Sequence, residues 1–149
     1  MITYFLEGED STELDAFISK CIGSLFFESD GNYEVDIIVN KFIDDKGEFA
    51  GLCTGDTQSC IIDVATHFRM PCGEEHPYQK HEFASNIAHE LVHAKQFARN
   101  QINATNDVWK RNGKSFDCTG MEYAETPWEV EAYGLEQVLT DVYWGSVKE

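Results

Sequence analysis

The chain reads as an α+β fold in a single domain spanning residues 1–149, and three observations predict it. A segment around residue 35 alternates apolar and polar residues as a strand does. Three longer segments repeat their apolar residues at helical spacing, and no repeat or Pro/Gly/Ser-rich linker divides the 149 residues. With 42% hydrophobic and 13% aromatic residues, this length suits one domain around one core.

Taken in order, Met1 to Asp10 has no basic opening and only a short apolar patch before acidic residues, so no export signal is expected and the cytoplasm is the expected location. Leu14, Phe17, Ile18, Cys21, Ile22, Leu25 and Phe26 recur on one helical face. With Asp10 and Glu13 as a start signal, they predict an N-terminal amphipathic helix over 11–27. That face needs a partner. Tyr33, Val35, Ile37 and Val39 alternate with mostly polar neighbours, and the runs Glu48–Cys53 and Cys60–Thr66 flank the turn-like Thr54-Gly55-Asp56. A small, mostly antiparallel sheet of three or four strands is therefore expected. Between Phe68 and Lys80, Pro71, Gly73 and Pro77 interrupt any regular element and predict a loop. Helical patterns follow over 81–100 and 127–143, the second with Thr126 as N-cap and Pro127 at its first position. Trp109, Trp128 and Trp144 are expected in the core rather than as pocket walls.

Eleven Lys and Arg against 27 Asp and Glu give a net charge of -16, which repels phosphate backbones and excludes general nucleic-acid binding. The same charge favours solubility or a basic peptide partner. No apolar run approaches the roughly 18–20 residues needed to cross a bilayer, so no membrane role is expected. The five cysteines (Cys21, Cys53, Cys60, Cys72, Cys118) are odd in number, irregularly spaced and free of a CxxC pair; they are expected as free thiols, although Cys53 and Cys60 can meet across a hairpin.

Chemistry concentrates in His89-Glu90-Leu91-Val92-His93, an HExxH sequence inside a helical pattern. Residues four apart share a helix face, so two imidazoles can grip one ion, and Glu90, about 100° round the helix, can reach a water beside it without becoming a ligand. Phe83, Ile87, Leu91, Ala94 and Ala98 form an apolar stripe away from the histidines, leaving the His face to a cleft. Hydrolytic zinc sites commonly use three protein ligands and one water. His67, His76 and His81 all precede the motif, no histidine follows His93, and position 99, where metzincins carry their third histidine, is Arg99, so a downstream carboxylate is the natural third donor. Glu129 lies in the first turn of the last helix. Thr126-x-x-Glu129 also has the form of a capping box, in which Glu129 would fold back on the Thr126 amide; Glu131 and Glu125 are the other candidates.

At these residues the chain resembles the gluzincin branch of the zincins, in which HExxH is joined by a glutamate from a later helix in an E-x-x-A pattern, reproduced by Glu129 to Ala132. HELVHAKQ followed by Pro127-Trp128-Glu129-Val130-Glu131-Ala132 more closely resembles small phage-encoded metallopeptidases related to the minigluzincin and SprT-like groups, over roughly residues 81–135. The resemblance implies a zincin-like domain with an N-terminal helix, strands, an HExxH helix and a C-terminal glutamate helix. It also implies Zn2+ held by His89, His93 and Glu129, with Glu90 as general base. The chain departs from the group in lacking a C-terminal zinc ribbon and a basic DNA-binding tail, so DNA-linked proteolysis does not carry over. Tyr133 stands where several gluzincins have an aspartate behind the histidines.

The expected function is therefore zinc-dependent hydrolysis of a peptide or protein substrate, with Glu90 taking a proton from water and passing it to the leaving amine. Tyr133, Tyr123 and Arg111 are possible oxyanion donors, though ordinary packing or surface display explains each better. The Cys60–Phe68 run is a candidate sheet edge for a peptide to join. Two rivals have other needs: an inactive, metal-stabilised binding module has no use for Glu90, and an acidic mimic of a basic partner's ligand would group its carboxylates on one face.

Overall fold

The computed structural model describes residues 1–102, 108–111 and 113–145. The chain opens with a strand, β1 (Ile2–Glu7), which the sequence reading did not assign. It continues through α1 (Thr12–Leu25), β2 (Tyr33–Asn40), β3 (Gly51–Gly55) and β4 (Ser59–Ala65). A short hairpin of β5 (His67–Arg69) and β6 (Glu75–Pro77) leads to α2 (Lys80–Ala98). A second hairpin, β7 (Val108–Arg111) and β8 (Lys114–Asp117), precedes α3 (Pro127–Leu139) and a π-helical turn over Thr140–Trp144. The α+β class stands.

The sheet differs from the expected mostly antiparallel one. Its order is β1-β2-β4-β3, in which β1 pairs parallel to β2, β2 parallel to β4, and only β3 runs antiparallel, to β4. For β1 and β2 the physical reason is the unassigned strand: with β1 in place, α1 becomes the crossover of a β-α-β unit, and such a crossover returns the chain parallel. Strands β2 and β4 are parallel because β3 pairs antiparallel on the outer side of β4 instead of lying between them. The antiparallel hairpins β5–β6 and β7–β8 stand apart as two-stranded ribbons, the first inside the segment expected to be a loop. The edges are β1 and β3, so the Cys60 run, interior as β4, cannot receive a peptide; β3 can. The third strand also begins later than expected, at Gly51 rather than Glu48, because Asp44 accepts bonds from the backbone N–H groups of Glu48 and Phe49 and holds them in a turn.

Local chemistry accounts for the helices. Ser11, not Asp10, caps α1 by accepting from the Leu14 N–H at 3.2 Å, and Glu13 and Asp15 oppose the helix dipole in the first turn. Its buried face, Leu14, Phe17, Ile18, Cys21, Ile22 and Leu25, packs into one core with Val35, Ile37 and Val39 of β2 and Cys60, Ile62 and Val64 of β4. Each large side chain taken fully out of water there contributes about 1.5–3 kcal/mol. On α2, Glu82 caps the Gln79 N–H, and Asn100 in the left-handed region (φ 56°) ends the helix. Arg99 just beyond α2 bonds to Asp30 and the Leu25 carbonyl, fixing this end against the end of α1. From Ile87 to Phe97 every residue of α2 is buried, so the expected apolar stripe is only part of a helix enclosed between the sheet, α1 and α3. Trp109, Trp128 and Trp144 are all buried, Trp144 with its ring edge-on to Phe17, although Trp128 and Trp144, contrary to expectation, also form cavity walls.

Candidate metal centre

Helices α2 and α3 face one another beside β3. His89 and His93, one turn apart on α2, point their Nε2 atoms at each other across 3.2 Å. Glu129 projects from the first turn of α3 between them, with Oε1 at 2.9 Å from His89 Nε2 and Oε2 at 3.2 Å from His93 Nε2. One ligand atom from each of the three lies within 4.8 Å of the others. Glu129 is therefore not in a capping box: the Thr126 hydroxyl donates to the Tyr123 carbonyl, and no side chain caps α3. Glu131 is turned away to Lys95 Nζ (2.7 Å) and Gln96 Nε2 (3.1 Å), and Glu125 lies in a 3-10 turn outside the cluster. His67 contacts Thr66 and His76 contacts Glu74 on the β5–β6 hairpin, apart from the centre.

The outer nitrogens are held as well. Protonated His89 Nδ1 donates to Glu136 Oε1 at 3.2 Å, and the Ser85 hydroxyl donates to the other Glu136 oxygen at 2.6 Å. His93 Nδ1 donates to Gln96 Oε1 at 2.8 Å, while Gln96 Nε2 donates to the Trp128 carbonyl at 3.0 Å. Both rings thus present Nε2 to the shared space, the tautomer a metal ligand needs. Glu136 and Gln96 went unremarked in the sequence, although Glu136 lies seven residues after Glu129, two turns along the same face, and Gln96 lies three after His93. Position 133 is filled by Tyr133, whose ring packs 4.7 Å from the His89 ring, so the carboxylate behind His89 comes from one turn further along α3.

Glu90 is buried beside the histidines, under β3. A Cβ placed on Gly51 would lie 2.9 Å from Glu90 Oε2, so a larger residue at 51 would displace this carboxylate. Burial raises the Glu90 pKa, with Glu129 and Glu136 adding to the rise and the two histidines opposing it. For His89, burial disfavours the charged form, but the bonds to Glu129 and Glu136 outweigh it and raise the pKa to about 10. His93 moves in the same direction for the same reasons. Burial works against the Glu129 carboxylate too, yet bonds from both histidines bring it down to about 2. Tyr123 and Tyr133 line the cleft beside Glu90; Arg111 lies on β7. Cys53 and Cys60 are free thiols, and hydrogen bonding to Cys60 together with burial raises the Cys53 pKa.

Compared with protein-family models, curated proteins and solved structures, the chain has no match. No helix among the described residues is long and apolar enough to cross a membrane.

The donor set fits a zinc ion. Tetrahedral ligands at the usual Zn–N and Zn–O lengths stand roughly 3.3 Å apart, close to the 2.9–3.2 Å separations of His89, His93 and Glu129. A borderline-soft cation suits two imidazoles and one carboxylate, and the cleft leaves the Glu90 side open to a small molecule.

Proposed function

We propose that the protein is a zinc-dependent hydrolase, a single-domain metallopeptidase of the zincin type, with His89, His93 and Glu129 as ligands and Glu90 as general base. The observation that carries this reading is the convergence of the three donor atoms within 4.8 Å with a fourth, non-ligating carboxylate beside them in a cleft. A bound zinc ion would polarise the scissile carbonyl and acidify a water. Glu90 takes the proton of the attacking water and returns it to the departing amine; its raised pKa brings it nearer the operating range of a general base. Glu136 and Gln96 hold the two imidazoles in register throughout. The free edge of β3, which begins beside Glu90 at Gly51, supports binding of an extended peptide as an added strand.

The test is elemental analysis of untagged protein prepared without chelator, alongside His93→Ala and Glu129→Ala, followed by peptide hydrolysis with Glu90→Gln. We expect about one zinc per chain in the wild type, loss of zinc in both ligand variants, and in Glu90→Gln retained zinc with hydrolysis down by about 10²–10⁴-fold. Wild-type protein that takes up no zinc when zinc is offered would remove this reading and direct attention to its acidic surface. Hydrolysis undiminished in Glu90→Gln would remove the general-base assignment.

A further inference from the structure

Two cavities meet at the candidate centre, sharing Gly51, Glu90 and Tyr123 as walls. From this junction one follows β3 forward and the other runs back along the chain that leads into it. The forward cavity, about 100 Å³, is bounded by Leu52, Cys53, Phe97, Ile102 and Trp128, which makes it small and mainly apolar away from the ligands. The backward cavity, about 260 Å³, has different chemistry: Glu48, Phe49, Asn86, Tyr133 and Glu136 complete its walls around His89, and none of its ten lining residues is Lys or Arg.

Carboxylates and aromatic faces together suit a cation on an aliphatic stem. Such a stem would lie along the rings of Phe49, Tyr123 and Tyr133, with its head towards the carboxylates. Glu136, tied to Ser85 and His89, lines the same cavity. Glu48 enters no ion pair among the described residues, and the turn that presents it is held by the Asp44 carboxylate. Across the cavity, Asn86 of α2 adds a polar side chain to the lining, its Nδ2 buried without an acceptor. An acidic side chain would meet like charge here, and a purely apolar one would leave Glu48 without a partner.

We propose that the backward cavity is a specificity pocket for a lysine or arginine side chain next to the reacting bond, while the smaller forward cavity seats a compact apolar residue on the other side of it. Its catalytic meaning rests on the peptidase reading, so the test is built on binding. Zinc-loaded Glu90→Gln protein is titrated with labelled peptides identical except for one position carrying Lys, norleucine or Glu, and the titration is repeated with Glu48→Lys added. We expect the Lys peptide to bind at least about tenfold more tightly than the norleucine peptide and the Glu peptide to bind weakest, and Glu48→Lys to bring the Lys-to-norleucine ratio near unity with zinc content unchanged. The ratio is read within each protein, so a general loss of binding does not imitate the result. Equal binding of Lys and norleucine, a Lys preference that survives Glu48→Lys, or no binding of any peptide overturns the pocket. Wild-type cleavage indifferent to Lys or Arg would also overturn it while leaving the peptidase reading intact. A Glu48-dependent Lys preference in a protein that cleaves nothing would support the pocket and overturn the peptidase.

Discussion

Glu90 and Gly51 show how narrowly the reactive carboxylate is placed. The side chain has room only because position 51 has no Cβ, and the clash a Cβ would create falls on Glu90 itself rather than on backbone. Gly51→Ala should therefore fold and keep its zinc but hydrolyse peptides about 10–100-fold more slowly, since a displacement on the order of 1 Å at a reacting group can cost that much. Zinc content and kcat measured on one preparation check this, and unchanged kcat would mean Glu90 has slack the structure does not show. Protonation supplies a second expectation at the same scale. In protein stripped by a chelator, the His89 pKa lies above its ordinary value of 6.5, at about 10. Its contribution to stability is complete below 6.5 and lost as pH rises towards 10. The Glu129 pKa lies below 4.5, at about 2, so its contribution is complete above 4.5 and lost as pH falls towards 2. Stripped protein should then draw most from this cluster between pH 4.5 and 6.5. Zinc must displace the proton that His89 holds, so its affinity should climb as pH rises towards 10, with at least about one proton released per ion at pH 7. Calorimetry in buffers of different ionisation enthalpy counts them, and a release of none would mean that the histidines are neutral in the stripped protein. His89, Glu90 and His93 were legible in the sequence because their relation is local, four residues on one helix. Gly51 was not, because its role is a contact made across the cleft.

The centre is assembled by two helices, and α3 brings two carboxylates to it on one face. Glu129 meets both Nε2 atoms, while Glu136, two turns on, accepts from His89 Nδ1 and is held by Ser85 of α2. Glu136→Ala should weaken zinc binding by about 10–100-fold, the usual effect of removing the partner that orients a ligating histidine. Competition with a chromogenic chelator measures it, and an unchanged affinity would show that packing alone orients the ring. Ser85→Ala should give a smaller loss in the same direction, because Glu136 then keeps His89 but loses its own support. The start of α3 at Pro127 and the run of α2 were readable from cap and period, since those signals act within a few residues. Sheet topology was not: β1 is six residues ahead of an acidic stretch, and its parallel register with β2 is set only when α1, which connects them, packs on the sheet. The edge strand was misassigned for the same reason, because which strand is interior depends on pairings far apart in the chain. Glu136 itself was within reach, since seven-residue spacing from Glu129 on one helix puts both carboxylates on one side.

For the whole molecule, the question is how much of the fold depends on the ion. Glu129 joins α3 to α2, but Ala132, Leu139 and Trp144 already bury that stretch of chain in the core that holds α1, α2 and the sheet. A second, smaller apolar cluster of Phe97, Ile102, Trp109, Cys118 and Trp128 closes the other side of the cleft. Apolar contacts thus hold both walls of the centre without help from the ligands, whereas stripping zinc leaves two histidines and a carboxylate to share protons in a buried space. The protein should therefore survive chelation folded yet less stable. Zinc at about 100 times its Kd adds roughly 2.7 kcal/mol, which for a chain of this size corresponds to a Tm about 5–10 °C higher. Far-UV circular dichroism at 25 °C should be nearly the same with and without zinc, because none of the helices depends on the ion for its buried face. His93→Ala should melt near the stripped wild type and gain little from added zinc, which separates binding at this centre from stray binding by the chain's other carboxyl side chains. A wild-type Tm indifferent to zinc would mean that the cluster is a proton-sharing ion-pair network and not a metal site. Loss of the helical signal on chelation would mean instead that the apolar contacts across α2 and α3 are too weak to hold the walls, and that the ion is part of the fold.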